Sequence, residues 1–110
     1  RAYTVFANNG VLMPLTIRKQ PADVEVGGVR VFSEQTIAQM LPMLERVASP
    51  EGTARRAQVD RYRVGGKTGT SRRNTGNGYE KGRYVAWFVG IAPISNPRFV
   101  MAVMVDDPDK

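Results

Sequence analysis

The sequence predicts an α+β fold in which antiparallel strands carry a helix packed on one face. Three observations lead to it. Residues 33–49 hold one apolar stripe at helical spacing, and residues 62–71, 84–92 and 99–106 read as strands. The connections between those strands are short and rich in Gly, Asn and Pro, which favours a meander of neighbours over parallel crossovers. The 110 residues suffice for one domain, and 42% hydrophobic with 24% charged residues is the composition of an ordinary globular chain.

The opening spacing of Ala2, Val5 and Phe6, followed by Asn8-Asn9-Gly10, predicts the last turns of a helix with its glycine stop. Residues 11–17 read as a short strand that Pro14 confines to an edge. Residues 18–28 lack periodicity and read as loop, and residues 29–32 as a second short strand. Ser33 is a good N-cap and Glu34 suits the first turn. Ile37, Met40, Leu41, Leu44, Val47 and Ala48 then form the stripe. Pro42 interrupts it and predicts a kink near Ala38, because its ring and missing N–H break the ladder there. Ser49-Pro50-Glu51-Gly52 ends the helix, and residues 53–60 are polar and basic enough for a loop. The runs 84–92 and 99–106 are nearly continuously apolar, which predicts strands covered on both faces. Residues 72–82 read as the connection before them, with a turn at Asn77-Gly78.

Several chemistries are excluded by composition. With no Cys and no His, the chain builds no disulfide, no thiolate nucleophile, no Cys- or His-based zinc site and no Ser-His-Asp triad of its own. No metal or other cofactor is expected. The apolar runs fall well short of the ~20 residues of a membrane-spanning helix. The start at Arg1-Ala2-Tyr3, without an initiator Met, reads as an internal piece of something longer.

The net charge of +6 is localised. Residues 55–83 hold nine basic side chains (Arg55, Arg56, Arg61, Arg63, Lys67, Arg72, Arg73, Lys81 and Arg83) against Asp60 and Glu80. The rest of the chain is nearly balanced, so this segment is the one that attracts an anion. Within it, Gly65-Gly66-Lys67-Thr68 invites comparison with a phosphate-binding loop, but the first glycine that pattern requires would fall at Arg61. As a strand, the segment puts Lys67 and Gly69 on one face and Thr68 and Thr70 on the other. Two hydroxyls one pleat apart, with a cation between, make a receptor for a carboxylate. Gly69 permits close approach, and the Thr70 N–H is placed to bond a carbonyl or oxyanion. The same residues also suit a solvated basic edge strand, and charge and propensity leave both readings open.

Lys67-Thr68-Gly69-Thr70 resembles the third active-site motif, K-[ST]-G-T, of penicillin-binding proteins and serine β-lactamases. The flanks extend the match through Tyr3 to Gly10, Gly52-Thr53-Ala54, Arg72-Arg73, residues 84–93, Asn96-Pro97-Arg98-Phe99 and Val105-Asp106-Asp107-Pro108. This succession resembles class B penicillin-binding proteins, most closely the division-specific transpeptidases of Gram-negative bacteria, and spans essentially the whole chain. Residues 1–110 then correspond to the C-terminal part of the transpeptidase domain. The resemblance implies a D,D-transpeptidase at the periplasmic face of the inner membrane, acting in septal wall synthesis among divisome proteins. Its substrate would be the D-Ala-D-Ala end of a peptidoglycan stem peptide, attacked by a serine that β-lactam antibiotics also acylate. Lys67 would organise proton transfer, and the Thr68 and Thr70 hydroxyls would hold the carboxylate. The Thr70 N–H would form half of the oxyanion hole, with Gly69, Ser71 and Arg72 lining the site.

The family's S-x-x-K and S-x-N motifs are absent: Ser33, Ser49, Ser71 and Ser95 are followed three residues later by Thr36, Gly52, Asn74 and Arg98. The nucleophile-bearing part of the domain is therefore expected to be a missing partner, and these residues alone are expected not to acylate. A class A penicillin-binding protein or a serine β-lactamase shares the motif, and a non-catalytic basic binding module is the reading of another class. Nucleic acid is not expected as a partner: Tyr79, Tyr84 and Trp87 among basic residues resemble a stacking platform, but Trp87 alternates within an apolar strand, which suits core packing or cleft lining better. Asp106 and Asp107 point to opposite faces and read as a strand-end turn. Met40, Met43, Met101 and Met104 read as core filler.

Overall fold

The computed structural model describes residues 1–108 as an antiparallel sheet with two helices on one face. Helix α1 is short (Thr4–Ala7), and the chain leaves it through Asn8 and Asn9 to Gly10, which adopts φ +90°. Strand β1 (Val11–Leu12) pairs with β2 (Val29–Arg30), Val11 opposite Arg30. The predicted strand over 11–17 is thus only two residues long. From Met13 onward no strand partner is present among the described residues, and Pro14 cannot supply a ladder donor.

Helix α2 (Glu34–Val47) forms where the stripe predicts it. The Ser33 hydroxyl accepts a 3.1 Å bond from the Thr36 N–H, satisfying one of the orphan donors of the first turn. Ile37, Leu44 and Ala48 of the stripe are buried. The helix runs through Pro42 as one continuous element, and Pro42 and Ala38 both face solvent, so water can serve the carbonyl that loses its donor.

The main sheet has the order β3-β4-β5, all antiparallel: β3 (Gly65–Asn74), β4 (Tyr79–Ala92) and β5 (Phe99–Asp106). The meander is as predicted, but the β3–β4 hairpin is longer. Residues 62–64 lie outside the ladder, which instead continues to Asn74 opposite Tyr79, leaving 75–78 as the connection. Arg72, Arg73 and Asn74 hide this extension, because they lack the apolar alternation that marks a strand.

Leu44, Ile91 and Ile94 form the core between α2 and the sheet, with Tyr3, Phe6, Ala7, Leu41 and Val100 packed around them. Both helices lie on the Ile91 face, so the expectation of strands covered on both faces is corrected. Phe99, Met101, Val103 and Val105 of β5 are exposed. Met43, Met101 and Met104 are likewise exposed and fill no core here, while Met40 is half-buried. Trp87 is exposed on the helix-bearing face opposite Gly69.

Candidate active site

Pairing register sorts the K-T-G-T residues by face. Gly65 pairs with the buried Ile91, and a Cβ built on it would lie 3.2 Å from the Glu45 backbone nitrogen, so its side faces α2. By alternation Lys67, Gly69 and Ser71 share that face, while Thr68, Thr70 and Arg72 lie on the other. Both expectations for the motif's faces hold. Lys67, Gly69, Thr70, Ser71 and Arg72 are exposed and Thr68 is half-buried.

β3 is an edge strand, and the hydrogen-bond parity shows which of its groups are unpaired. The Tyr84 carbonyl accepts from the Asp107 N–H at 2.8 Å and the Ala92 carbonyl from the Arg98 N–H at 3.2 Å, so even-numbered residues of β4 address β5. Odd-numbered ones therefore address β3, and their partners Gly65, Lys67, Gly69 and Ser71 use their backbone groups toward β4. Gly66, Thr68 and Thr70 consequently direct N–H and C=O to the open edge. The Thr68 carbonyl accepts 2.9 Å from Lys67 Nζ, in keeping with that direction. Lys67 has no acidic partner among the described residues, and neither does Arg72.

Thr53 joins the site across fifteen residues, its Oγ1 lying 3.0 Å from Thr68 Oγ1. Two features behind α2 place it. The Ala54 N–H donates to the Val47 carbonyl at 2.8 Å, and a Cβ at Gly52 would overlap the Arg46 and Val47 carbonyl oxygens. Only glycine allows the chain to turn so tightly over the helix end. Sequence reasoning singled out Gly52-Thr53-Ala54 as a flank but assigned it no contact.

Two charged groupings border the strand. Arg63 forks onto Glu45 of α2, with Nε to Oε1 at 2.6 Å and Nη2 to Oε2 at 2.7 Å. This hydrogen bond holds the Glu45 carboxyl below its ordinary range and raises Arg63. Beyond Ser71, Arg73 meets Asp106 at 3.5 Å, and Arg83 meets Asp107 at 2.7 Å and Glu80 at 3.4 Å. The hydrogen bond from Arg83 lowers Asp107, and Arg83 is raised in turn. Asp106 and Asp107 thus serve as ion-pair partners at the strand end. An open groove between the C-terminal half of α2 and residues 58–64 is lined by none of residues 67–72.

An unpaired cation, two hydroxyls and an outward N–H along one strand edge can bind a carboxylate beside a carbonyl oxygen that becomes negative. No serine among the described residues is placed as a nucleophile by a lysine three positions on. The family profile described as "Penicillin binding protein transpeptidase domain" matches residues 1–110. The chain is 41% identical over 108 residues to a protein of Neisseria gonorrhoeae named probable peptidoglycan D,D-transpeptidase PenA, which covers 98% of this chain and 18% of the relative. It is 37% identical over 108 residues, with the same coverage of each, to the peptidoglycan D,D-transpeptidase FtsI of Escherichia coli K12. Among solved structures, the transpeptidase domain of Burkholderia pseudomallei penicillin-binding protein 3 superposes with TM-score 0.89 at 51% identity, covering 98% of this chain and 33% of that one. The chain therefore spans about a fifth of these curated relatives' length.

Proposed function

The chain belongs to the penicillin-binding protein transpeptidase family, and from that premise we propose that it is the C-terminal part of a class B transpeptidase domain that supplies one wall of a serine acyl-transfer site. A serine carried elsewhere in the domain attacks the penultimate D-Ala carbonyl of a stem peptide. Its Oγ–C bond forms, the C–N bond to the terminal D-Ala breaks, and the departing amine takes up a proton. An amine of a neighbouring strand then displaces the serine and completes the cross-link. β-Lactams enter the same route and stop at the acyl-enzyme.

In this reading the Thr70 N–H receives the developing oxyanion, a donor whose loss typically costs ~10²–10³ in rate. The Thr68 and Thr70 hydroxyls bind the terminal carboxylate, with Thr53 fixing the Thr68 rotor. Lys67 exchanges its present bond to the Thr68 carbonyl for the proton-transfer network, and Gly69 keeps the approach clear. Ser71 and Arg72 border the substrate, where Arg72, unpaired among the described residues, suits an anionic stem-peptide group. The observation that carries the proposal is the open edge of β3, which presents the Thr70 N–H beside two hydroxyls and an ammonium that no acid among the described residues neutralises. The septal role, the divisome partners and the periplasmic face of the inner membrane follow from the resemblance of the flanking motifs to division-specific members. The test is covalent labelling of the full-length protein with a fluorescent penicillin. A persistent adduct on a serine outside residues 1–110 supports the proposal. Rapid hydrolysis of the adduct would indicate a β-lactamase instead, and no adduct would defeat both.

A further inference from the structure

The β3–β4 ladder outruns the rest of the sheet. β5 makes its last pair at Asp106 opposite Val85, while β3 and β4 continue to Asn74 and Tyr79. Between Arg72 and Asn74 the register shifts, and residues 80–83 of β4 bulge opposite Arg73. The arm beyond this point has no third strand beside it among the described residues. Gly76 and Gly78 at its turn and Gly82 in the bulge all have positive φ, with no described atom within 4 Å of the place a Cβ would occupy, so these positions are not packed. Ion pairs are what tie the base of the arm to the sheet. Arg73 of β3 reaches across β4 to Asp106 of β5, and Arg83 in the bulge binds Asp107 just past β5 and Glu80 within the bulge. A covered oxygen of Glu80 has no hydrogen bond, so its stabilisation comes from the Arg83 charge.

We propose that Arg83, through Asp107 and Glu80, is a positioning residue that fixes the base of the β3–β4 arm and so holds the Thr70 to Arg72 segment of the open edge in its acylation geometry. The proposal rests on the function proposed above and deepens it. The mechanical route is short: Arg73 stands three residues from Thr70 on one continuous strand, and Tyr84, whose carbonyl accepts from Asp107, pairs with Arg72. Isolated surface ion pairs contribute little to stability, whereas an interlocked set can set an angle. The consequence is a residue that matters to the rate more than to the melting temperature, and whose effect salt weakens.

The experiment uses the full-length protein and a chromogenic β-lactam, separating the binding constant from the acylation rate constant and recording melting in parallel. Arg83→Gln and Asp107→Asn should each slow acylation by roughly 10- to 100-fold, the scale of a misplaced donor, with binding and melting nearly unchanged. Arg83→Lys, which keeps the charge, should recover part of the rate. High salt should slow wild-type acylation more than that of Arg83→Gln. Unchanged acylation in both single variants overturns the proposal, as does a loss that merely tracks melting. Lys67→Ala serves as the control: if wild type acylates and Lys67→Ala does not, the site stands whatever Arg83 does. If wild type takes up no β-lactam, the site and this inference fall together.

Discussion

Thr53 Oγ1 sits 3.0 Å from Thr68 Oγ1, so a turn residue behind α2 fixes the rotor of a hydroxyl on the open sheet edge. Thr53→Val keeps the shape and removes this bond. A hydrogen bond of this kind contributes about 1 kcal/mol, so carboxylate recognition should weaken roughly fivefold. The apparent dissociation constant of the full-length protein for a penicillin measures it, and an unchanged value would show that Thr68 needs no support.

The glycines of β3 separate structure from function. A Cβ at Gly66 would overlap the Val89 carbonyl oxygen and lie 2.7 Å from the Phe88 ring, whereas at Gly69 the nearest atom is the Trp87 Cβ at 3.7 Å. Gly66→Ala should therefore lower the melting temperature markedly. Gly69→Ala should leave melting almost unchanged yet slow acylation, because its methyl group crowds the ligand's approach. Equal effects on melting would contradict this assignment.

Ile91 is fully buried against Leu44 and Ile94, where α2 meets the sheet. Ile91→Ala should cost about 2–5 kcal/mol, the range for emptying a close-packed site. Denaturant unfolding of the full-length protein measures it. A loss no larger than that of an exposed residue such as Met101 would remove this cluster from the core.

Much of this framework is legible in the sequence, for reasons that differ between elements. Ser33 and the stripe from Ile37 to Ala48 reveal α2 because side chains alone set its cap and buried face. Lys67 and Thr68 could be assigned to opposite faces because the pleat is strictly alternating. The ends of β3 and β4 slid by several residues because the ladder runs on to Arg72 opposite Tyr84 and Asn74 opposite Tyr79, where no apolar alternation marks it. An apolar run such as Phe99 to Val105 reads alike whether one face or both are covered. Thr53 escaped notice because its contact depends on how Gly52 and Ala54 turn the chain over the helix end.

The Glu45–Arg63 fork gives a pH signature. Its hydrogen bond lowers the folded-state pKa of Glu45 below the unfolded one, so the stabilisation is fully present above the unfolded value. It is lost as pH falls from the ordinary glutamate range through the lowered native value. Glu45→Gln should therefore destabilise at neutral pH and converge with wild type in acid. Melting curves across that window test it, and a constant difference down to the lowest pH would contradict the linkage.

The central claim, that the Lys67 to Thr70 edge belongs to a serine acyl-transfer site, is tested most directly by one measurement. Intact-mass spectrometry follows penicillin adduct formation over time on the full-length protein, its Lys67→Ala variant and the isolated 110-residue chain. Lys67 is exposed and, among the described residues, its ammonium bonds only the Thr68 carbonyl, so its removal should spare the fold. The account predicts one adduct per wild-type molecule, a rate lower by about 10²–10⁴ in the variant, as for loss of a proton-transfer group, and none on the isolated chain. Equal rates for wild type and Lys67→Ala, or a covalent adduct within these 110 residues, would contradict it.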